Sequence, residues 1–82
     1  MRAIKLSHGT IFLDIDGISI RVTPDGEVGL SPTLYDSLEW EMAFTPPNRW
    51  EYLTEGDVRA LEGGIYEKAA ALARSVNERL GR

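Results

Sequence analysis

The chain has 82 residues with an apolar share of 43%, enough for one small hydrophobic core and too little for a second, so a single domain spanning 1–82 is expected. Thirteen acidic against nine basic side chains leave a net charge of −4, which disfavours a nucleic-acid binder and favours basic or neutral protein partners. Cysteine is absent, which excludes a disulfide framework or a thiolate site and fits a reducing compartment.

The opening stretch MRAIKLSHGT lacks the apolar run of a signal peptide, and no segment approaches the roughly 20 apolar residues of a spanning helix, so a cytoplasmic protein without a membrane role is expected. Ala3-Ile4-Lys5-Leu6 alternates and predicts a first strand, ended by a turn at Ser7-His8-Gly9. The stretch IFLDIDGISIRV then places Ile11, Leu13 and Ile15 before Asp16-Gly17 and Ile18, Ile20 and Val22 after it. Asp-Gly between two alternating runs predicts a two-residue type I′ hairpin, since both turn residues need positive φ. The register follows: Ile15 faces Ile18, Leu13 faces Ile20 and Ile11 faces Val22, while Asp14 meets Ser19 and Phe12 meets Arg21 on the other face.

Asp14-x-Asp16-Gly17 also resembles the nucleophile motif of haloacid-dehalogenase-type phosphatases. That chemistry needs a buried parallel strand, usually a Thr after the glycine, and later lysine and carboxylate partners in a much longer chain. Here Ile18 follows the glycine and the chain stops at 82 residues. The hairpin is therefore preferred, and Asp16 is read as a turn residue.

Thr23-Pro24-Asp25-Gly26-Glu27 is a second turn signal, and Val28 to Leu30 a short strand before Ser31-Pro32-Thr33 breaks the pattern. Leu38, Trp40, Met42 and Phe44 alternate with Glu39, Glu41, Ala43 and Thr45, predicting a half-buried strand with an acidic outer face, ended by Pro46-Pro47-Asn48. Trp50 and Tyr52 fall in a segment with no clear period, read as a loop, where core and partner-binding roles both stay open.

The period then changes. Thr54 three residues ahead of Asp57 predicts a capping box. Val58, Leu61, Ile65, Ala69, Leu72, Val76 and Leu80 form one apolar stripe on a helix that Gly63-Gly64 bends or breaks and Gly81 ends. Glu55/Arg59 and Glu78/Arg82 are i,i+4 pairs. A sheet with one aliphatic face and a helix with one apolar stripe each need a cover. The expected architecture is α+β, an antiparallel meander of four or five strands packed on a C-terminal helix.

Catalytic readings are poor. His8 is the only histidine, and neither a second histidine nor a cysteine offers metal spacing or a thiolate pair. No enzyme activity, metal or cofactor is expected. The informative feature is uneven charge: from Asp25 to Asp57 eight acids stand against the single base Arg49, a balance of −7, while the remainder carries +3. The same segment holds five of the seven aromatics, Tyr35, Trp40, Phe44, Trp50 and Tyr52. Aromatic anchors in a carboxylate field suit a basic protein partner, because charge steers association and desolvated rings supply affinity. Trp40 and Phe44 fall on the inward face and are assigned to the core. The expected partner-binding residues are Tyr35, Asp36, Glu39, Glu41, Trp50, Glu51 and Tyr52.

The order Gly9-Thr10-Ile11, the Gly17 turn, Tyr35-Asp36-Ser37 followed by Trp40-Glu41, then Pro46-Pro47, then Thr54-Glu55-x-Asp57 opening a helix resembles a group of small bacterial immunity proteins. These are the cognate inhibitors of contact-dependent growth inhibition and related polymorphic toxin systems. The similarity spans most of the chain through short, non-catalytic motifs. In the family's pattern the prolines follow the tryptophan almost directly, whereas here Met42-Ala43-Phe44-Thr45 intervenes. The resemblance implies a cytoplasmic, non-enzymatic protein that binds a toxin's nuclease domain, an RNase by preference, and blocks its basic active site. The alternative from a different class is a structural or regulatory module that forms a homodimer through a sheet edge or the long helix.

Overall fold

The computed structural model describes residues 1–31 and 50–81. It contains strands β1 (Arg2–Leu6), β2 (Ile11–Ile15), β3 (Ile18–Val22), β4 (Val28–Leu30) and β5 (Trp50–Leu53). A short helix α1 (Glu55–Arg59), a 3-10 turn (Glu62–Gly64) and the longer helix α2 (Ile65–Arg79) follow. The strands form one antiparallel sheet in the order β4-β3-β2-β1-β5. The α+β architecture, an antiparallel sheet with a C-terminal helix, is the one expected from sequence.

The hairpin forms in the expected register, with Ile15 opposite Ile18, Leu13 opposite Ile20 and Ile11 opposite Val22. Asp16 at φ 51° and Gly17 at φ 81° supply the two positive dihedrals that a type I′ turn requires. Gly9, at φ 100°, lets the β1–β2 turn close, its amide donating to the Leu6 carbonyl at 2.9 Å. In the next turn the Gly26 amide reaches the Thr23 carbonyl at 2.9 Å, and the Thr23 hydroxyl donates to the Asp25 carboxylate.

One face of the sheet carries Ala3, Ile11, Leu13, Ile15, Ile18, Ile20 and Val22, all buried together with Val58, Ala69 and Ala73 from the helices. Helix α2 packs across β2, β3 and β4, and α1 sits against β1 and β5. The apolar stripe is used for most of its length. Leu80, however, is 58% exposed, and Ala73 takes a fully buried place instead. Small side chains at Ala69 and Ala73 let the α2 backbone approach the aliphatic sheet.

The other face is a correction to the one-sided sheet expected from the alternation. Ile4, Leu6 and Phe12 form a second buried cluster, with Phe12 fully enclosed. Arg21, its cross-strand partner, places its guanidinium 5.6 Å from the Phe12 ring centroid.

One further difference concerns the last third. Trp50–Leu53 is a strand rather than a loop, paired with β1 across 44 (Leu6 to Trp50) to 50 (Ala3 to Leu53) residues of chain. Of the bend or break expected at Gly63-Gly64, the structure has the break: Gly63 at φ 76° and Gly64 at φ 66° turn the chain between α1 and α2. The strand expected over Leu38 to Phe44 and the proline stop at Pro46-Pro47 lie outside the described residues, as does the Arg82 end of the second helix pair.

Candidate functional site

Residues Tyr35, Asp36, Glu39 and Glu41 of the expected binding surface lie outside the described residues. Trp50, Glu51 and Tyr52 are brought onto β5, the last strand on one side of the sheet among the described residues. Trp50 pairs with Leu6, Glu51 with Lys5 and Tyr52 with Ile4. Tyr52 is 76% exposed and Glu51 is exposed beside it. The row Phe12, Ile4, Tyr52 across three paired strands therefore runs from complete burial at its centre to an open aromatic at its rim.

The chain leaves β5 directly into α1. The Thr54 hydroxyl accepts from the Asp57 amide at 3.1 Å, and the Thr54 amide donates to the Asp57 carboxylate at 2.9 Å, completing the capping box. Those hydrogen bonds to the Thr54 backbone and side chain hold the Asp57 carboxyl below its usual value, outweighing a small opposing effect of burial. Glu55, Asp57 and, after the 3-10 turn has begun, Glu62 are all exposed. Arg59 is the base of this corner. Its guanidinium reaches Glu55 at 3.9 Å, donates to the Tyr66 hydroxyl at 3.0 Å and lies 4.3 Å from the Tyr66 ring centroid. It ties α1 to α2 across the glycine break.

The segment from β5 to the 3-10 turn thus carries exposed acids from Glu51 to Glu62, with Lys5 opposite Glu51, Lys5 and Lys68 lining a cleft with Glu62, and Tyr52 on the sheet face opposite to that of Glu51. Sequence reading counted its acids only as far as Asp57 and missed Glu62, which the break at Gly63 keeps near the end of α1. It also missed that Trp50 to Leu53 is a strand. The alternation of Trp50 and Tyr52 with Glu51 and Leu53 was the available signal, but four residues are too few to separate a strand from a loop.

Two clefts flank the helix layer. One, of about 700 Å³, lies between the hairpin turn and α2 and is lined in part by Ile15, Asp16, Glu55, Arg74 and Asn77. There the Asn77 amide donates to the Asp16 carbonyl at 3.3 Å, leaving its own buried Oδ1 without a hydrogen-bond partner. The other, of about 590 Å³, is lined in part by Lys5, Pro24, Leu61, Gly63 and Lys68. Thr23 and Asp25, whose side chains are hydrogen-bonded to each other within the turn, also line the second cleft. Asp14, the residue a phosphatase would use as nucleophile, stands in mid-strand between Arg2 and Ser19 in the antiparallel sheet, with one buried oxygen unpartnered. Among the described residues no group of three or more His, Cys, Asp and Glu is placed to hold a metal ion. Among the same residues no helix is long and apolar enough to cross a membrane. No family model matches the chain, and no curated protein or solved structure matches it.

Proposed function

We propose that the protein is an immunity protein: it binds a cognate toxin nuclease domain, by preference an RNase, in the cytoplasm and neutralises it by occluding a basic active site. The observation that carries this reading is the run of exposed acids from β5 to the 3-10 turn, Glu51, Glu55, Asp57 and Glu62, together with the exposed Tyr52 on the other face of β5. An RNase is basic around its phosphate site, so carboxylates on the inhibitor take the place of substrate phosphates and pair with the toxin's Lys and Arg. The aromatic supplies contact area that is desolvated in the complex. The resemblance of the Gly9-Thr10-Ile11, Tyr35-Asp36-Ser37, Trp40-Glu41 and Thr54-Glu55-x-Asp57 sequence order to small immunity proteins is the second support.

The test is inhibition of the nuclease domain encoded beside this gene. RNA cleavage should cease at one equivalent of the protein, association should slow as salt rises, and Tyr52→Ala combined with Glu51→Lys should weaken binding by about tenfold or more. Full RNA cleavage in the presence of excess protein would overturn the proposal.

A further inference from the structure

We infer that Gly63-Gly64 is a hinge for exchange between copies of this chain. With the hinge closed, α2 covers its own sheet; with it straightened, α1 and α2 join into one helix that lays α2 on the sheet of a second copy. The two helices form an antiparallel pair. Glu55, which opens α1, and Asn77, near the end of α2, line one cleft with Asp16 of the β2–β3 turn. Leu61 and Gly63 line the other cleft with Gly9 and Gly26, whose turns stand at the opposite ends of the same strands. The chain therefore runs along the sheet, reverses at the glycines and returns. Straightening the reversal carries α2 off its own sheet and uncovers the aliphatic face of β2, β3 and β4.

Little but the two glycines sustains the reversal. Gly63 at φ 76° and Gly64 at φ 66° hold left-handed dihedrals that other residues adopt only at a cost. Neither the 3-10 turn nor α2 has a side-chain cap at its start, and no proline stands between Thr54 and Leu80. The apolar stripe, moreover, keeps its phase through the break. At 3.6 residues per turn, Val58, Leu61, Ile65, Ala69, Leu72 and Val76 fall within an arc of about 80°. Two helices separated by non-helical residues have no need of a shared phase, whereas one helix from Glu55 to Arg79 does.

A second copy is the occupant because it offers α2 the same contacts. Ala69 and Ala73 close on the same sheet residues and on Val58, and the tie from Arg59 to Tyr66 forms between chains as it does within one. What differs is the hinge and the concentration. The five-residue connection from Arg59 to Ile65 holds α2 at a local concentration in the millimolar range, so the closed form prevails in dilute solution when the turn is free of strain. Glycine at both positions meets that condition, and the pair thereby decides between monomer and exchanged dimer.

The test replaces both glycines by Ala, where an added Cβ meets nothing within 4 Å at Gly63 and only Glu67 Oε2 at 3.7 Å at Gly64. The change penalises the closed turn and favours the continuous helix, shifting the balance by about a thousandfold per chain. At about 100 μM, Gly63→Ala/Gly64→Ala should be a dimer by light scattering and the unaltered protein a monomer. The chain has no cysteine, so Glu78→Cys, at an exposed position lining the Asp16 cleft, carries a nitroxide label at one place. Copies bearing it are unfolded and refolded with an equal amount of isotope-labelled copies. In the double variant the Asp16 and Gly17 amides of the isotope-labelled copies should fall to about half intensity, because half of their partners carry the nitroxide. A folded double variant that stays monomeric, or a dimer in which those amides keep full intensity, would overturn the inference. If the double variant does not fold, the unaltered protein refolded at about 1 mM decides: a dimer fraction with the same broadening supports the hinge, and monomer alone overturns it.

Discussion

Replacing Phe12 with Ala tests whether the sheet has two buried faces. Phe12 has no exposed surface and packs with Ile4 and Leu6 on the face opposite the helices. Truncating such a ring removes its transfer free energy and leaves a cavity, together about 3–5 kcal/mol. A domain of this length has a total stability of about 4–12 kcal/mol, from the usual stability per residue. The loss is therefore between a quarter of the total and all of it. Urea unfolding followed by far-UV circular dichroism is a suitable assay. With a slope of about 1 kcal/mol per molar urea, the midpoint should fall by about 3–5 M. Two comparisons make the result interpretable. Leu13→Ala, on the helix-facing side and equally buried, should cost about 2–5 kcal/mol. Tyr52→Ala, two strands away in the same cross-strand row, should cost less than about 1 kcal/mol because the residue is 76% exposed. If Phe12→Ala leaves the chain unfolded, Phe12→Leu reads the same effect on a smaller scale. A cost below about 1 kcal/mol for Phe12→Ala, beside a full cost for Leu13→Ala, would refute the second buried face.

Two predictions concern the connection into the helices. Helix propensity alone predicts that Gly64→Ala stabilises the chain by about 1 kcal/mol, but the left-handed φ of 66° predicts a loss of about 1–2 kcal/mol. An added Cβ would meet nothing closer than Glu67 Oε2 at 3.7 Å, so the sign of the change in melting temperature reads backbone strain alone. Thr54→Ala should cost about 1 kcal/mol in urea unfolding by deleting the N-cap. The Asp57 half of the same box is set by pH. Its carboxyl is depressed in the folded chain, so its contribution is complete above the ordinary carboxylate pKa and is lost as pH falls through the folded value. The stability gap between the protein and Asp57→Asn should be widest near neutrality and close on acidification. A gap that widens toward low pH would contradict the hydrogen-bond assignment.

What was legible in the sequence depended on how far apart the deciding residues stand. The hairpin could be read to the residue because Asp16-Gly17 fixes a turn and the turn fixes every pair from Ile15–Ile18 to Ile11–Val22. The capping box at Thr54 and Asp57 was legible for the same reason, since both partners lie within one helical turn. The break at Gly63-Gly64 was half legible. Two glycines announce a weak point, but a bend and a full stop differ in two dihedrals that apolar spacing does not encode.

Strand β5 was hidden because its pairing is non-local. Four residues with one alternation acquire strand identity only when β1, at least 44 residues earlier, lies alongside. Strand β1 has neighbours on both sides, β2 and β5, so Ile4 and Leu6 sit inside the sheet rather than at its margin. Their alternation with Ala3 and Lys5 looks in sequence like an ordinary half-buried strand. With β1 flanked on both sides, Trp50–Leu53 is the last strand in the order among the described residues, a place that the short period of this segment does not announce.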